Sequence, residues 1–306
     1  MNTVFINPYS SGGKGLDKWE SVKTFFNNEV HQIVINEQNG IGDLIKKSLQ
    51  NGNINFIAAG GDGTVNLLIN SLINTLNIEE LKEIKLGAIG IGSSNDFHKP
   101  KGEGFNSIPV KINFEEAKPR DVGCLTYFEK GMMKRKYFLI NASLGIAAEA
   151  NYFFNHPDNI LLRLKKKNTN LAILYSALKT IYGFKSFKIK IDSDEMGEFD
   201  VNLTNLAIIK NPNFSGNLRY SSVINYDGGN FNVHLCSEMS RKEIIHLLYL
   251  LSFGKFHKVK KKKSWETKEL NVSSEDPFYV EYDGEIIKTT SVTFTILPKL
   301  LKVCSC

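Results

Sequence analysis

No stretch of this 306-residue chain approaches the roughly 20 consecutive apolar residues that a helix needs to cross a bilayer, which excludes a membrane-spanning helix. The first residues, Met1-Asn2-Thr3-Val4-Phe5-Ile6, carry no basic segment ahead of a long apolar run. No secretory signal is visible there, and the expected address is the cytoplasm, with peripheral contact at the inner membrane face as an extension. Cysteine is scarce: Cys124, Cys236, Cys304 and Cys306 are scattered and too few for a disulfide framework. The terminal Cys-Ser-Cys puts no cysteine fourth from the end, which excludes prenylation and leaves reduced thiols as the expectation. The histidines, His31, His98, His156, His234, His246 and His257, never come within four residues of one another. Neither local zinc-ligand spacing nor an HExxH helix exists.

What is present suffices for a full core. With 42% hydrophobic residues over this length, two domains are expected. The first hundred residues alternate in character: strand at 3–6, helix at 16–27, strand at 30–35, helix at 41–50, strand at 53–59, helix at 65–76 and strand at 84–89. Val65, Leu68, Ile69, Leu72, Ile73 and Leu76 recur at helical spacing, so one face of the third helix packs on a sheet. Such alternation predicts a parallel α/β layer with ligand loops at the carboxyl ends of its strands. After about residue 105 strand-like runs dominate, at 110–114, 136–142, 187–191, 201–209, 231–235, 268–272, 278–282 and 291–296. Helices are expected at 147–154, 171–182 and 241–253. The expected division is a nucleotide-binding domain over 1–122, to which the tail at 297–306 returns, and a β-rich domain over 123–296. Ser240 and Glu243 form a capping box ahead of the last helix, and its Leu247-Leu248-Tyr249-Leu250-Leu251 run reads as core.

Residues 60 to 64 read Gly-Gly-Asp-Gly-Thr between a strand and a helix. Three glycines let backbone N–H groups approach an anion while the helix points its positive end the same way. Asp62 is then placed to reach a nucleotide's Mg2+; the alternative is a tight turn in which Asp62 caps the helix. Three further loops bear on that choice. Asn7-Pro8-Tyr9-Ser10-Ser11-Gly12-Gly13-Lys14-Gly15 follows the first strand, where polyphosphate binding is expected. It is not a Walker A loop, because Lys14 precedes Gly15 rather than Ser or Thr and Pro8 stands where the leading glycine belongs. Gly90-Ile91-Gly92-Ser93-Ser94-Asn95-Asp96-Phe97 offers small hydroxyl and amide groups to line a nucleotide or hold Asp96. Tyr282-Asp283-Gly284-Glu285 puts two carboxylates at a hairpin tip, where turn chemistry alone also accounts for Asp-Gly.

Taken together and in this order, these residues resemble the diacylglycerol kinase catalytic-domain family, which includes bacterial lipid kinases and sphingosine and ceramide kinases. The opening NP-x-S-G matches Asn7 to Gly12 with one residue of slack, GGDGT-x-N matches Gly60 to Asn66, and P-x-GT-x-NDF matches Gly90 to Phe97 imperfectly. The later N-x-x-S-x-G is present in shifted form as Asn141, Ser143 and Gly145, and the terminal DGE as Asp283-Gly284-Glu285. The resemblance implies an α/β nucleotide-binding domain like those of phosphofructokinases and NAD kinases, a C-terminal β-sandwich domain, and an active site between them. It implies that Asn7, Pro8, Ser11, Gly12, Gly60, Gly61, Asp62, Gly63, Thr64 and Asn66 hold ATP, with Ser93, Ser94, Asn95 and Asp96 beside them. Asp62 would orient Mg2+, Glu285 would take the proton of the acceptor hydroxyl, and Asp283 would stand nearby for the metal. The implied reaction is ATP-dependent phosphorylation of a lipid hydroxyl, with diacylglycerol or a related glycerolipid leading. The rivals are an NAD kinase-like enzyme and a catalytically weak nucleotide-binding protein.

Departures accompany the matches. Gly90, Ser93 and Ser94 replace the family's Pro and Gly-Thr, so hydrogen bonds of that threonine fall to a serine. In bacterial members a D-G-x-apolar segment supplies a structural Mg2+ ligand; here it reads Tyr226-Asp227-Gly228-Gly229-Asn230-Phe231, with Asp227 one place early. A metal site at Asp227 is therefore doubtful. Net charge is +6, and two basic clusters, 163–167 and 258–263, lie in the second domain. Without a zinc knuckle, an RNP-like pattern or a basic stripe interleaved with aromatics, no nucleic-acid partner is expected. The expected partner is a lipid substrate at a membrane surface, met through Lys258, Lys260, Lys261, Lys262 and Lys263, with solvated loops as the alternative and a homodimer possible.

Overall fold

The computed structural model describes residues 2–26, 30–36, 40–100 and 104–305. The end of the expected first helix at Asn27 and the thiol of Cys306 lie outside the described residues. Contacts divide the chain into one unit of Met1–Val122 with Leu297–Cys306 and another of Gly123–Ile296.

The first unit runs β1 (Asn2–Ile6), α1 (Ser10–Gly13), α2 (Gly15–Val22), β2 (Val30–Val34), α3 (Ile41–Gln50), β3 (Asn55–Gly60), α4 (Asp62–Thr75), α5 (Ile78–Glu83), β4 (Lys85–Gly90), β5 (Gly104–Phe105), β6 (Ile108–Lys111) and the start of β7 (Asn113–Glu129). Its parallel strands stand in the order β2-β1-β3-β4. On the far side of β4, the returning tail adds a parallel pair, Lys302 to Lys85 and Val303 to Leu86. Val4, Ile6, Trp19, Val22, Ile57, Ala59 and Ile89 form the buried cluster beneath the helices. Strand order reverses between β1 and β3, and in open α/β sheets that switch point is where ligand loops diverge. The loops after β1 and β3 are the two glycine-rich segments.

The second unit continues through β8 (Met132–Phe138), β9 (Asn141–Gly145), α6 (Ile146–Asn155), α7 (Asn159–Lys167), α8 (Thr169–Gly183), β10 (Phe187–Ser193), β11 (Gly197–Ile209), β12 (Asn213–Phe214), β13 (Leu218–Arg219), β14 (Phe231–Ser237), α9 (Arg241–Ser252), β15 (Lys262–Thr267), β16 (Glu269–Tyr282) and the first part of β17 (Glu285–Ser305). Antiparallel pairs link β15-β14-β11-β10-β16-β17, and β9 pairs with both β11 and β16. Phe138, Phe231, Phe294, Val280 and Leu206 are among the residues that fill the core. A second buried cluster packs α8 and α9 over Ala207, Ile209 and Tyr220.

Several expectations need correction here. The strand expected over 136–142 is two strands, because the amides of Leu139, Ile140 and Asn141 turn to bind a carboxylate from β17's hairpin instead of a neighbouring strand. The basic cluster at 163–167 lies on a helix, α7, whose Asp158 cap accepts from the Leu161 amide at 2.8 Å. In the run at 258–263, Lys258 and Lys260 are exposed ahead of β15, Lys262 and Lys263 belong to β15, Lys261 pairs with Glu243 at 3.0 Å, and Lys263 sits 5.2 Å over the Phe199 ring.

Two histidines fold neutral. Burial lowers His98 in the first unit and His234 in the second to about 4, while an unfolded chain's imidazoles titrate near 6.5. Between those values the unfolded chain holds protons that the folded chain refuses, so stability is full above 6.5 and falls as pH drops toward 4. Each histidine contributes a slope of about 1.4 kcal/mol per pH unit. In His234→Gln, whose amide can still meet the hydroxyls of Ser222 and Ser264, urea midpoints across that window should lose one histidine's share of the slope. An unchanged slope would contradict this.

Candidate functional site

In the first unit three loops are stapled by side chains. Asn7 accepts from the Tyr9 amide at 3.0 Å and donates to Thr64 Oγ1 at 2.9 Å, joining the loop after β1 to the first turn of α4. Ser11, with φ of 53°, donates to the Ile91 carbonyl at 2.8 Å and accepts from Lys18 Nζ at 2.7 Å, joining the loop after β1 to the loop after β4. Burial, with Lys14 nearby, lowers the pKa of that lysine. Asn95, with φ of 51°, closes the third loop on itself by donating to the carbonyls of Gly90 and Gly92 and accepting from the Gly92 amide.

Glycine has two distinct uses here. A Cβ on Gly60 would lie 2.0 Å from Thr64 Oγ1, and one on Gly92 would lie 2.3 Å from Gly61 Cα, so the loops after β3 and β4 touch backbone to backbone. Gly12 and Gly13 take φ of 69° and 92°, and a Cβ there or on Gly63 would meet no atom within 4 Å. All three glycines border open space, and Gly63 lies in the first turn of α4, which suits phosphate oxygens.

Asp62 holds the third loop. Its Oδ2 accepts from the Asp96 amide at 3.0 Å and its Oδ1 from the Phe97 amide at 2.9 Å. Asp96 is buried and pairs with Lys99 at 2.7 Å. Ser93 is exposed and Ser94 half-buried, Pro8 gives its carbonyl to the Gly15 amide, and Asn66 is buried and accepts from Asn70.

In the second unit Asp283 is a clamp. Its carboxylate accepts the amides of Leu139 at 2.8 Å, Ile140 at 2.9 Å and Asn141 at 3.0 Å, while its own amide donates to the Asn141 carbonyl. Buried Glu281 completes the support, accepting from Ser143 Oγ and from the Gly284 amide, each at 2.8 Å. Asn151 and Asn155 of α6 donate to the Gly284 carbonyl at 3.3 and 3.2 Å. Glu285 itself is exposed. The sequence motif at 141–145 therefore holds the hairpin through strand β9. Burial raises the pKa of nearby Glu149 on α6, and burial with its Tyr152 partner pushes Tyr279 up to about 12.

Asp283→Ala would leave three buried amides without their acceptor, which at 1–3 kcal/mol each predicts a loss on the order of 3 kcal/mol. Denaturant titration measures it, and an unshifted midpoint would show that water replaces the clamp.

Among the described residues no three His, Cys, Asp or Glu side chains converge as metal ligands. At the expected structural metal segment Asp227 is exposed, and the carbonyls of Asn225 and Asn230 accept from the fully buried Lys210 Nζ at 2.8 and 3.0 Å. A fixed ammonium already serves those carbonyls, so a divalent ion held there by protein does not fit. Magnesium fits only as a companion of nucleotide phosphates, which needs one or two carboxylates; Asp62, in the first turn of α4, is the carboxylate that stands between the glycine turns.

Two family models match: the diacylglycerol kinase catalytic domain over residues 2–117 and the YegS C-terminal NAD kinase beta sandwich-like domain over residues 142–305. A Bacillus subtilis (strain 168) protein named "Putative lipid kinase YtlR" is 24% identical over 97% of both chains. A Staphylococcus haemolyticus (strain JCSC1435) protein named diacylglycerol kinase is 26% identical over 82% of this chain and 70% of its own. A crystal structure of a "putative diacylglycerol kinase" from Bacillus anthracis str. Sterne superposes with a TM-score of 0.72 at 19% identity, covering 99% of this chain and 94% of that one. At that identity the likeness shows the fold.

Proposed function

Because the chain belongs to the diacylglycerol kinase catalytic-domain family, we propose that it transfers the γ-phosphoryl group of ATP to a lipid hydroxyl, that of diacylglycerol or a related glycerolipid. The observation that supports this most is the cradle at the β1/β3 switch point. Two glycine turns are fixed there by Asn7, Ser11 and Asp62, with open space over Gly12, Gly13 and Gly63.

In this reading backbone amides around Gly12 and Gly63 bind phosphate oxygens, while those of Gly13, Gly15 and Thr64 stay within their turns, and the positive end of α4 favours the phosphate charge. Phosphoryl transfer asks a protein mainly for positioning and charge neutralisation. Asn7 and Ser11 supply the first by locking the loops before nucleotide arrives. Magnesium, when it accompanies ATP, neutralises phosphate charge, and Asp62 is the residue that would face it. Glu285 is the proton acceptor for the incoming hydroxyl: Asp283 and Glu281 spend their carboxylates on the hairpin's backbone and leave Glu285 in solvent.

The acceptor class is tested by offering the purified protein Mg2+-ATP with a detergent-dispersed panel of mono-, di- and sphingoid lipids, with NAD in the same tube. Phosphorylated glycerolipid is expected. NADP as the product would replace this reading with an NAD kinase.

A further inference from the structure

We infer that the outer face of α8 and α9 is the surface by which this protein docks on an anionic membrane. On α8, Leu171, Leu174, Leu178 and Tyr182 recur at helical spacing, and all four are exposed, from 48% at Leu178 to 75% at Tyr182. That stripe is the reverse of an ordinary surface helix, whose apolar residues face the core. On α9, Ile245, Tyr249 and Phe253 form a second exposed stripe. Of the buried residues of the two helices, Ile181 on α8 and Ile244, Leu247 and Leu251 on α9 belong to a single cluster, so the stripes meet on its solvent side where α8 ends. Ala172 and Ser176, nearer the start of α8, are buried outside that cluster, Ser176 against the Ala150 carbonyl of α6. The stripes are joined where the Arg241 guanidinium lies 4.8 Å over the Tyr182 ring.

Charge selects the occupant. From Asn159 to Ile191 the sequence has no Asp or Glu, and exposed Arg163, Lys166 and Lys167 close α7 immediately ahead of the α8 stripe. Exposed Lys242 opens α9, and Lys255 lies 5.5 Å from the centre of the Phe253 ring at its end. Leucines flanked by tyrosines and cations are the composition of a helix face that lies in a bilayer interface, where the rings sit at headgroup level and each cation gains from anionic lipid. A second copy of this chain would bring the same cations against these. The lysine run at 258–263 is a weaker candidate, since Lys261 and Lys263 already have partners. The inference rests on the lipid kinase reading for its purpose: an enzyme acting on a bilayer lipid must sit on the bilayer.

The test uses the full chain without ATP, sedimented with vesicles of phosphatidylcholine alone and of phosphatidylcholine with phosphatidylglycerol. Wild type should bind only the anionic vesicles, and binding should weaken as salt shortens the Debye length from about 10 Å at 0.1 M to about 3 Å at 1 M. Leu174→Gln, Leu178→Gln and Tyr249→Gln together should lower binding by about tenfold or more. Arg163→Gln, Lys166→Gln and Lys167→Gln together should do the same. Lys260→Gln with Lys263→Gln should bind as wild type does. Equal vesicle binding by wild type and both face variants overturns the assignment. So does a concentration-dependent dimer that the apolar variant abolishes while wild type ignores vesicles. If wild type phosphorylates detergent-dispersed lipid but ignores anionic vesicles, the docking face falls and the kinase reading stands. Anionic-vesicle binding that both face variants lose, with no lipid phosphorylated, upholds the face and overturns the kinase reading.

Discussion

Asp62→Asn is expected to lower kcat/KM for phosphoryl transfer by about 10³ or more and to destabilise the first unit by about 1–3 kcal/mol. The two effects share one origin. Each carboxylate oxygen of Asp62 accepts one backbone N–H, from Asp96 and from Phe97. An amide keeps one acceptor and sets its NH2 against the other N–H, donor against donor, so the loop after β4 must shift. That loop carries Gly92, which rests on Gly61, and its Ile91 carbonyl receives Ser11. A single lost acceptor therefore disturbs all three segments of the cradle and removes the negative charge that would face Mg2+. Kinetics and amide exchange separate the parts. Faster exchange at Asp96 and Phe97 is expected alongside the loss of turnover. Full activity with unchanged exchange would deny Asp62 both roles.

The parallel α/β layer and its glycine loops were legible because they are local: alternating periodicity, strand-terminal glycines and a capping box are written within a few residues of where they act. The capping box of Asn77 and Glu80 was equally plain in the sequence, yet α5 went unread because it occupies only Ile78–Glu83 between a longer helix and a strand. The roles of the acidic residues were not local. Asp283 meets amides 142 to 144 positions away, and Glu281 meets Ser143 across 138. A carboxylate that clamps backbone and one that waits for a proton look identical until burial is known. Glu281 carried one faint signal, a charged residue flanked by Val280 and Tyr282 in a strand whose neighbours are apolar. Lys18 carried none, since a lysine on the first helix reads as surface until Ser11 Oγ is found beside its ammonium. The helix α7 was hidden by its own lysines, which masked Leu161 as the single fully buried anchor of that turn.

Glu285→Gln should lower turnover by about 10² to 10⁴, the usual share of a general base, while ATP affinity stays near that of wild type. The contrast follows from how the hairpin divides its carboxylates. Asp283 and Glu281 are buried and hydrogen-bonded to backbone, so neither can move toward a substrate; Glu285 is exposed on a turn those two hold still. Glutamine preserves the size of the side chain and the hairpin, and removes only the ability to take a proton. Isothermal titration with a non-hydrolysable ATP analogue and a turnover assay on the same preparation give both numbers. Parallel loss of nucleotide affinity and turnover would move Glu285 to a nucleotide or structural role.

The central claim is transfer to a lipid hydroxyl, and ³¹P NMR of a completed reaction tests it most directly. With Mg2+-ATP and detergent-dispersed diacylglycerol, the account predicts a new phosphomonoester resonance that partitions into the organic extract, matched one for one by ADP. Unchanged ATP, or ADP matched by inorganic phosphate alone, would contradict it.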